Sequence, residues 1–346
     1  MTGKTMKAAI ITAPGTVSLE EIKRFAPGPG EVLVRCRATA ICTAERRAFS
    51  GVLPFYPMIG GHELAGVVEE VNDPDTTLKP GDRIAVDTHI RCGSCYYCLK
   101  GLNNQCVRMY ETPKDSQYVV MGGGFAEYAT VPSRQAIRLP EQVTLEEASV
   151  LEPLACCVRS IKKAGLSFGD TVLIVGAGTM GSIQAMLARM MGAYVIISDI
   201  DEVRLKQAEQ LGADLTVNPS TEDLAAVVRD HTEGRGADVV IVATSVRQAG
   251  EQGLACVGRA GRLIFYASLH PKSMLELDWN RVHSQEIIIT GSVGATHRDF
   301  REAVALLSQG SVNLKPLISR YISLEQLPEE LASKPAGETQ RVVVRL

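Results

Sequence analysis

The sequence has 346 residues, enough for two domains at roughly 100 to 200 residues each. Hydrophobic residues make up 45% and charged residues 22%, with a formal net charge of −3, so bulk charge points to neither nucleic acid nor an anionic membrane as partner. No apolar run approaches the roughly 18 residues that span a bilayer, and Ala8–Ile11 behind the basic start is too short for a signal-peptide core, so a cytoplasmic location is expected.

In chain order, short strands are expected at Lys7–Thr12, Val32–Ala38, Leu64–Val71, Arg83–Val86 and Ala126–Val131. Turn signals separate them, among them Pro27-Gly28-Pro29-Gly30, Pro80-Gly81-Asp82 and Gly122-Gly123-Gly124. The pattern predicts an antiparallel β-rich domain over 1–153. Apolar, β-branched runs then begin at Thr171, Tyr194, Asp214, Asp238, Arg262 and Glu286, with helix-like stretches such as Met180–Met191, Glu202–Leu211 and Thr221–His231 between them. Continuous apolar strands alternating with helices predict an α/β domain over 154–294, with a parallel, doubly wound sheet of six strands. The segment 295–346 holds an amphipathic helix at Phe300–Leu307, a short helix near Leu324–Leu331 and a last strand, Arg341–Arg345, expected to return to the first domain.

The first strand of the regular domain runs into Gly176-Ala177-Gly178-Thr179-Met180-Gly181. The first glycine permits the tight turn, the second lets backbone approach a pyrophosphate, and the third lets the helix pack on the strand. Thr179 and Met180 open that helix, where amide donors and the dipole favour phosphate. Asp199 ends the next strand, 18 residues after Gly181, where an acidic side chain meets the adenosine ribose. Its charge favours NAD over NADP. Capping of the helix that starts near Glu202 is the other use for Asp199 or Asp201. Arg204 is placed to border the adenine or ribose, or to be a solvated helix arginine.

Nine cysteines stand out, and Cys92, Cys95, Cys98 and Cys106 follow the spacing Cys-x2-Cys-x2-Cys-x7-Cys. Such clustering points to a metal before disulfides. Four thiolates suit a closed structural zinc, and an iron–sulfur cluster uses the same four, so spacing alone leaves both open.

Three further residues are unremarkable singly: Cys42 in Ala40-Ile41-Cys42-Thr43-Ala44-Glu45, His62 in Gly60-Gly61-His62-Glu63-Leu64-Ala65-Gly66, and Glu152 in Leu151-Glu152-Pro153-Leu154. Their order, with the four-cysteine loop and the dinucleotide turn, resembles the zinc-dependent medium-chain alcohol dehydrogenase superfamily over essentially the whole chain. The Glu-Pro-Leu segment resembles its polyol (sorbitol-like) and threonine dehydrogenase branches.

The resemblance implies a GroES-like catalytic domain carrying a structural-zinc lobe at about 90–110, a Rossmann domain for NAD, and two zincs per chain. Cys42, His62 and Glu152 match the catalytic zinc ligands, with Glu63 as an alternate or neighbouring carboxylate. Glu45 matches the acid that orients the histidine. It further implies a homo-oligomer, a tetramer ahead of a dimer, and a small-molecule alcohol as substrate. The sequence departs from the family beside Cys42. The position that usually carries the relay hydroxyl is Ala44 and the distal histidine is Arg47. The proton route is then expected through Thr43 or directly through water, and Arg46 and Arg47 are either exposed loop arginines, the reading ahead because arginines are mostly exposed, or a contact to a phosphate of NAD or an anionic group of the substrate. His89, His231, His270, His283 and His297 read as surface or loop residues. Cys36, Cys156, Cys157 and Cys256 read as small apolar fillers, and Met180, Met186, Met190 and Met191 as helix core.

The expected activity is zinc-dependent oxidation of a secondary alcohol in a polyol or sugar-like substrate, with hydride transfer to NAD. The alternatives are an L-threonine or other amino-alcohol dehydrogenase, against which Ala48–Pro57 has no tryptophan, and a non-catalytic protein that binds NAD and zinc.

Overall fold

The computed structural model describes residues 4–109, 117–334, 337 and 340–346. The chain divides into two compact units, Met1–Ala155 with Thr296–Leu346, and Cys156–Ala295.

In the first unit, among the described residues, the larger sheet has the order Ile318–Ser323, Arg341–Arg345, Glu31–Ala40, Glu63–Asn72, Arg83–Asp87, Ala136–Arg138, and Tyr128–Pro132 also pairs with Glu31–Ala40. The register brings three strand ends to one place. Ala40 lies opposite Glu63, Glu63 opposite Asp87, and Val343 opposite Ala40. The strand Glu63–Asn72 is fully buried over its first four residues and opens toward solvent at its far end, so this convergence sits deep. The second sheet orders Thr16–Lys23, Thr5–Ala13, Met58–Ile59 and Val119–Val120.

In the second unit the sheet order is Leu215–Val217, Tyr194–Ser198, Thr171–Val175, Ala237–Val242, Val257–Phe265, Ile288–Gly291, all parallel. This is the doubly wound dinucleotide-binding order, reversing beside the first strand. Thr171–Val175 is buried throughout, since helices cover both faces of a parallel sheet. Four features depart from the sequence expectations. Thr16–Lys23 is a strand whose polar, half-exposed sequence hid it, and Thr43–Phe49 and Leu151–Ala164 are helices, the latter carrying Pro153 in its first turn, where a missing N–H costs nothing. Met190 and Met191 are exposed (46% and 39%) at the end of helix Thr179–Met190 and do not belong to the core.

Candidate active site and metal centres

Cys42 immediately precedes helix Thr43–Phe49, and Glu45 in its first turn points back. Glu45 is fully buried. Its Oε2 accepts the Cys42 amide at 3.0 Å, and its Oε1 accepts the Gly61 amide at 3.0 Å and lies 2.6 Å from His62 Nδ1. One carboxylate therefore ties the cysteine loop to the histidine turn. It also fixes which imidazole nitrogen is engaged, leaving Nε2 as the open donor. Gly61 adopts φ +90, and a Cβ there would stand 2.6 Å from the Phe125 amide, so only glycine lets the chain bend to bring His62 in.

The ligand atoms of Cys42, His62 and Glu63 all lie within 4.8 Å of one another. Burial, then the Glu63 charge, push the Cys42 thiol up. Burial pushes Glu63 up as well, against the pull of Arg341. A half-buried thiol facing a carboxylate becomes a thiolate only beside a cation, and a set of S, N and O donors this close suits zinc. Burial pushes the Glu45 carboxyl up, and His62 outweighs that and holds it below its ordinary value.

Glu63 is already engaged on its other side. Arg341, at the start of the last strand, binds it in bidentate fashion, Nε to Oε2 at 3.0 Å and Nη2 to Oε1 at 2.9 Å, with both side chains buried. Sequence reasoning missed Arg341, and no local signal links residues 278 positions apart. Glu152, expected as a third zinc ligand, lies outside the three-residue group; its Oε1 is 3.7 Å from His89 Nε2.

His89 sits in a loop, as expected, but it and His297, the first residue of helix His297–Ser308, are half-buried and engaged. His89 and His297 flank Asp87, which is fully buried: His297 Nδ1 lies 3.0 Å from Asp87 Oδ2, His89 Nδ1 3.7 Å from Oδ1, and Arg91 pairs with the same acid. Burial pushes the Asp87 carboxyl up, but His297, His89 and Arg91 outweigh it and hold it well below the usual carboxylate range. His231, His270 and His283 are exposed, as expected.

Arg46 does not await a phosphate. Its guanidinium donates to the Glu330 carbonyl at 2.9 Å and the Ser333 carbonyl at 3.1 Å, and it pairs with the Glu330 carboxylate. Thr43 is exposed on the first turn of its helix, and Arg47 is half-buried on the same helix.

Cys92, Cys95, Cys98 and Cys106 bring four sulfurs within 4.8 Å of one another, and none is in a disulfide. The Cys92 and Cys98 sulfurs are 4.0 Å apart. A tetrahedral zinc with bonds of about 2.3 Å sets its sulfurs about 3.8 Å apart, so the gap fits a single ion, whereas a multi-iron core would spread them further. Backbone amides of Ser94 and Cys95 lower the Cys92 thiol, favouring the thiolate a metal needs.

In the second unit, Gly176 takes φ +111 after strand Thr171–Val175, and Gly178 precedes helix Thr179–Met190. A Cβ on Gly178 would meet nothing within 4 Å, so an open cradle faces the helix start, while one on Gly181 would fall 1.8 Å from the Gly176 carbonyl. Asp199 accepts the Ala177 amide at 2.8 Å, which places its carboxylate against the glycine turn, with Arg204 Nη1 4.0 Å away. The cap of helix Glu202–Gln210 is Asp201, whose Oδ1 accepts the Val203 amide at 2.9 Å. The turn-facing and the capping carboxylate are thus different residues.

The alcohol dehydrogenase GroES-like domain matches residues 28–141, and the zinc-binding dehydrogenase domain matches 179–309. An L-threonine 3-dehydrogenase of Pyrococcus horikoshii is 34% identical over 353 residues, covering 99% of each chain. The chain belongs to the zinc-dependent medium-chain alcohol dehydrogenase superfamily. It lies in the branch that holds polyol and threonine dehydrogenases, and it is an oxidoreductase of alcohols. A D-arabitol-phosphate dehydrogenase of Enterococcus avium is 31% identical, covering 99% of this chain and 97% of its own. A zinc-binding dehydrogenase of Sinorhizobium meliloti 1021, solved with NADP bound, superposes with a TM-score of 0.91 at 30% identity, covering 99% of this chain and 100% of its own. Among the described residues, no helix is long and apolar enough to cross a membrane.

Proposed function

We propose that this dehydrogenase oxidises a secondary alcohol of a polyol or sugar-like substrate at a zinc held by Cys42, His62 and Glu63, with Glu152, outside that group, as a further carboxylate ligand, and passes hydride to NAD. The observation that carries the reading is the Cys42–His62–Glu63 group, two half-buried ligands beside a buried carboxylate, with Glu45 locked on His62. When bound, zinc supplies a Lewis acid that eases loss of the substrate's hydroxyl proton, and the nicotinamide accepts hydride. The residues of the chain supply placement. Glu45 fixes the imidazole, Arg341 neutralises Glu63, and the turn Gly176–Gly181 with Thr179 and Met180 offers amides to a pyrophosphate. Asp199 supports NAD over NADP through its carboxylate beside the turn, with Arg204 as its neighbour. Ala44 offers no hydroxyl, so proton release bypasses position 44.

The four-cysteine group is read as a second, structural zinc that takes no part in the chemistry. The L-threonine reading is the alternative, favoured by the 34% identical relative. The polyol reading draws on the absence of tryptophan from Ala48–Pro57 and on the polyol-phosphate relative. A panel of polyols, sugars, simple alcohols and threonine, followed by NADH absorbance, separates them. Turnover of threonine alone overturns the polyol reading, and silence across the panel overturns the catalytic one.

We also infer a cytoplasmic homo-oligomer, a tetramer before a dimer. The sheet of the second unit ends on Ile288–Gly291, with Ile288 53% exposed, an edge strand suited to a second copy. Light scattering in solution tests it, and a monomer overturns it.

A further inference from the structure

The second unit contains a cavity of about 570 Å³ that the dehydrogenase reading does not use. It opens at the amino ends of strands Ala237–Val242 and Val257–Phe265, lined by Gly236, Asp238 and Gly258 among others. The glycine turn follows the carboxyl end of Thr171–Val175, which runs parallel and in register with Ala237–Val242. The two places are therefore at opposite ends of the sheet, about 16 Å of strand apart at about 3.3 Å per residue. Ligands of such sheets bind at the carboxyl ends, so the cavity is not part of the dinucleotide crevice.

Its charge is lopsided. Arg229, Arg235, Arg259 and Arg281 line it, against Glu233 and Asp238. Among the described residues none of the four guanidinium groups forms an ion pair with a carboxylate. Arg281 is held only by neutral acceptors, Nη1 by the Leu254 carbonyl and Nη2 by the Val257 carbonyl, each at 2.8 Å, and Nε by Gln285 at 3.3 Å. That leaves a positioned, half-buried cation without a counter-charge. Asp238 spends one oxygen on the Thr171 amide at 2.8 Å. Arginines elsewhere in the chain mostly find an acid: Arg24, Arg46, Arg91, Arg138, Arg189 and Arg341 all do.

We propose that this cavity binds a small phosphate-bearing anion of two or more negative charges. The volume falls in the range of small-molecule pockets, and planar guanidinium groups match phosphate oxygens two at a time. Two uncompensated positive charges set the anion's minimum charge.

The test is calorimetric titration of inorganic pyrophosphate into the zinc-loaded protein, pre-saturated with NADH and held at fixed ionic strength with chloride. One saturable site is expected. The exposed pair Arg229→Gln and Arg259→Gln should weaken it by about a hundredfold, tenfold for each guanidinium removed, with turnover unchanged. Arg235→Glu, a single exposed change, should weaken it by at least about tenfold and guards against a folding defect in the double variant. Three results overturn the proposal. Binding abolished by NADH assigns the anion to the glycine turn. Binding untouched by these substitutions assigns it elsewhere. Absence of both heat and a rise in melting temperature at millimolar pyrophosphate removes the site.

Discussion

Glu45 Oε1 lies 2.6 Å from His62 Nδ1, and the same buried carboxylate accepts the amides of Cys42 and Gly61. One acid thus aims a thiol and an imidazole that are 20 residues apart. In Glu45→Gln, one end of the side chain becomes a donor facing a donor. Zinc affinity at this site is expected to fall about 10- to 100-fold, as for other outer-shell acids. Competition against a chromophoric chelator measures it, and unchanged affinity would remove Glu45 from the positioning role.

Cys42→Ala is expected to reduce bound zinc from two ions to one and to abolish turnover, while the melting transition survives. Cys98→Ser is expected to lose the other ion and to loosen the segment around 92–106. Elemental analysis beside a melting curve distinguishes them. Retention of both ions in Cys42→Ala would sink the assignment.

The Glu63–Arg341 pair is buried on both sides, so removing one partner strands a charge. Arg341→Met is expected to cost about 3 to 5 kcal/mol in urea unfolding. The double variant Glu63→Gln, Arg341→Met should cost clearly less than the two single changes together, since no lone charge is left. Strict additivity would show that the two residues act independently.

Asp87 gives a pH signature. Its folded carboxyl is held well below the ordinary value, so the unfolded chain binds its proton first as pH falls. The stabilisation is complete above the unfolded value, about pH 4, and drains progressively below it. Asp87→Asn should lower the melting temperature at pH 7 and flatten its decline between pH 5 and pH 3, within about these limits. Parallel curves for the two proteins would refute the role.

Asp199→Ser removes the carboxylate beside the glycine turn while leaving a small acceptor for the Ala177 amide. The ratio of kcat/KM for NAD to that for NADP should fall by about tenfold or more. An unchanged ratio would place cofactor choice elsewhere.

The second unit was legible in sequence because its strands are buried on both faces and so read as unbroken apolar runs, as in Thr-Val-Leu-Ile-Val at 171–175. The strand Thr16–Lys23 was not, since its burial is partial and its residues are half polar. At the site, Cys42, His62 and Glu63 could be read because each sits in a local motif, and Glu45 because it is three residues from Cys42. Arg341 and the His89–Asp87–His297 group could not. Their partners are joined by sheet register and by a returning helix, and a sequence window sees neither.

The wide separation of Glu63 from Arg341 also orders events during synthesis. At about 5 to 20 residues per second, roughly 15 to 55 s pass between the appearance of Glu63 and of its arginine. Throughout that interval the emerging ligand cluster carries an unopposed acid. An ion bound in that interval would meet a more negative site than the mature one, since Arg341 is the residue that neutralises Glu63.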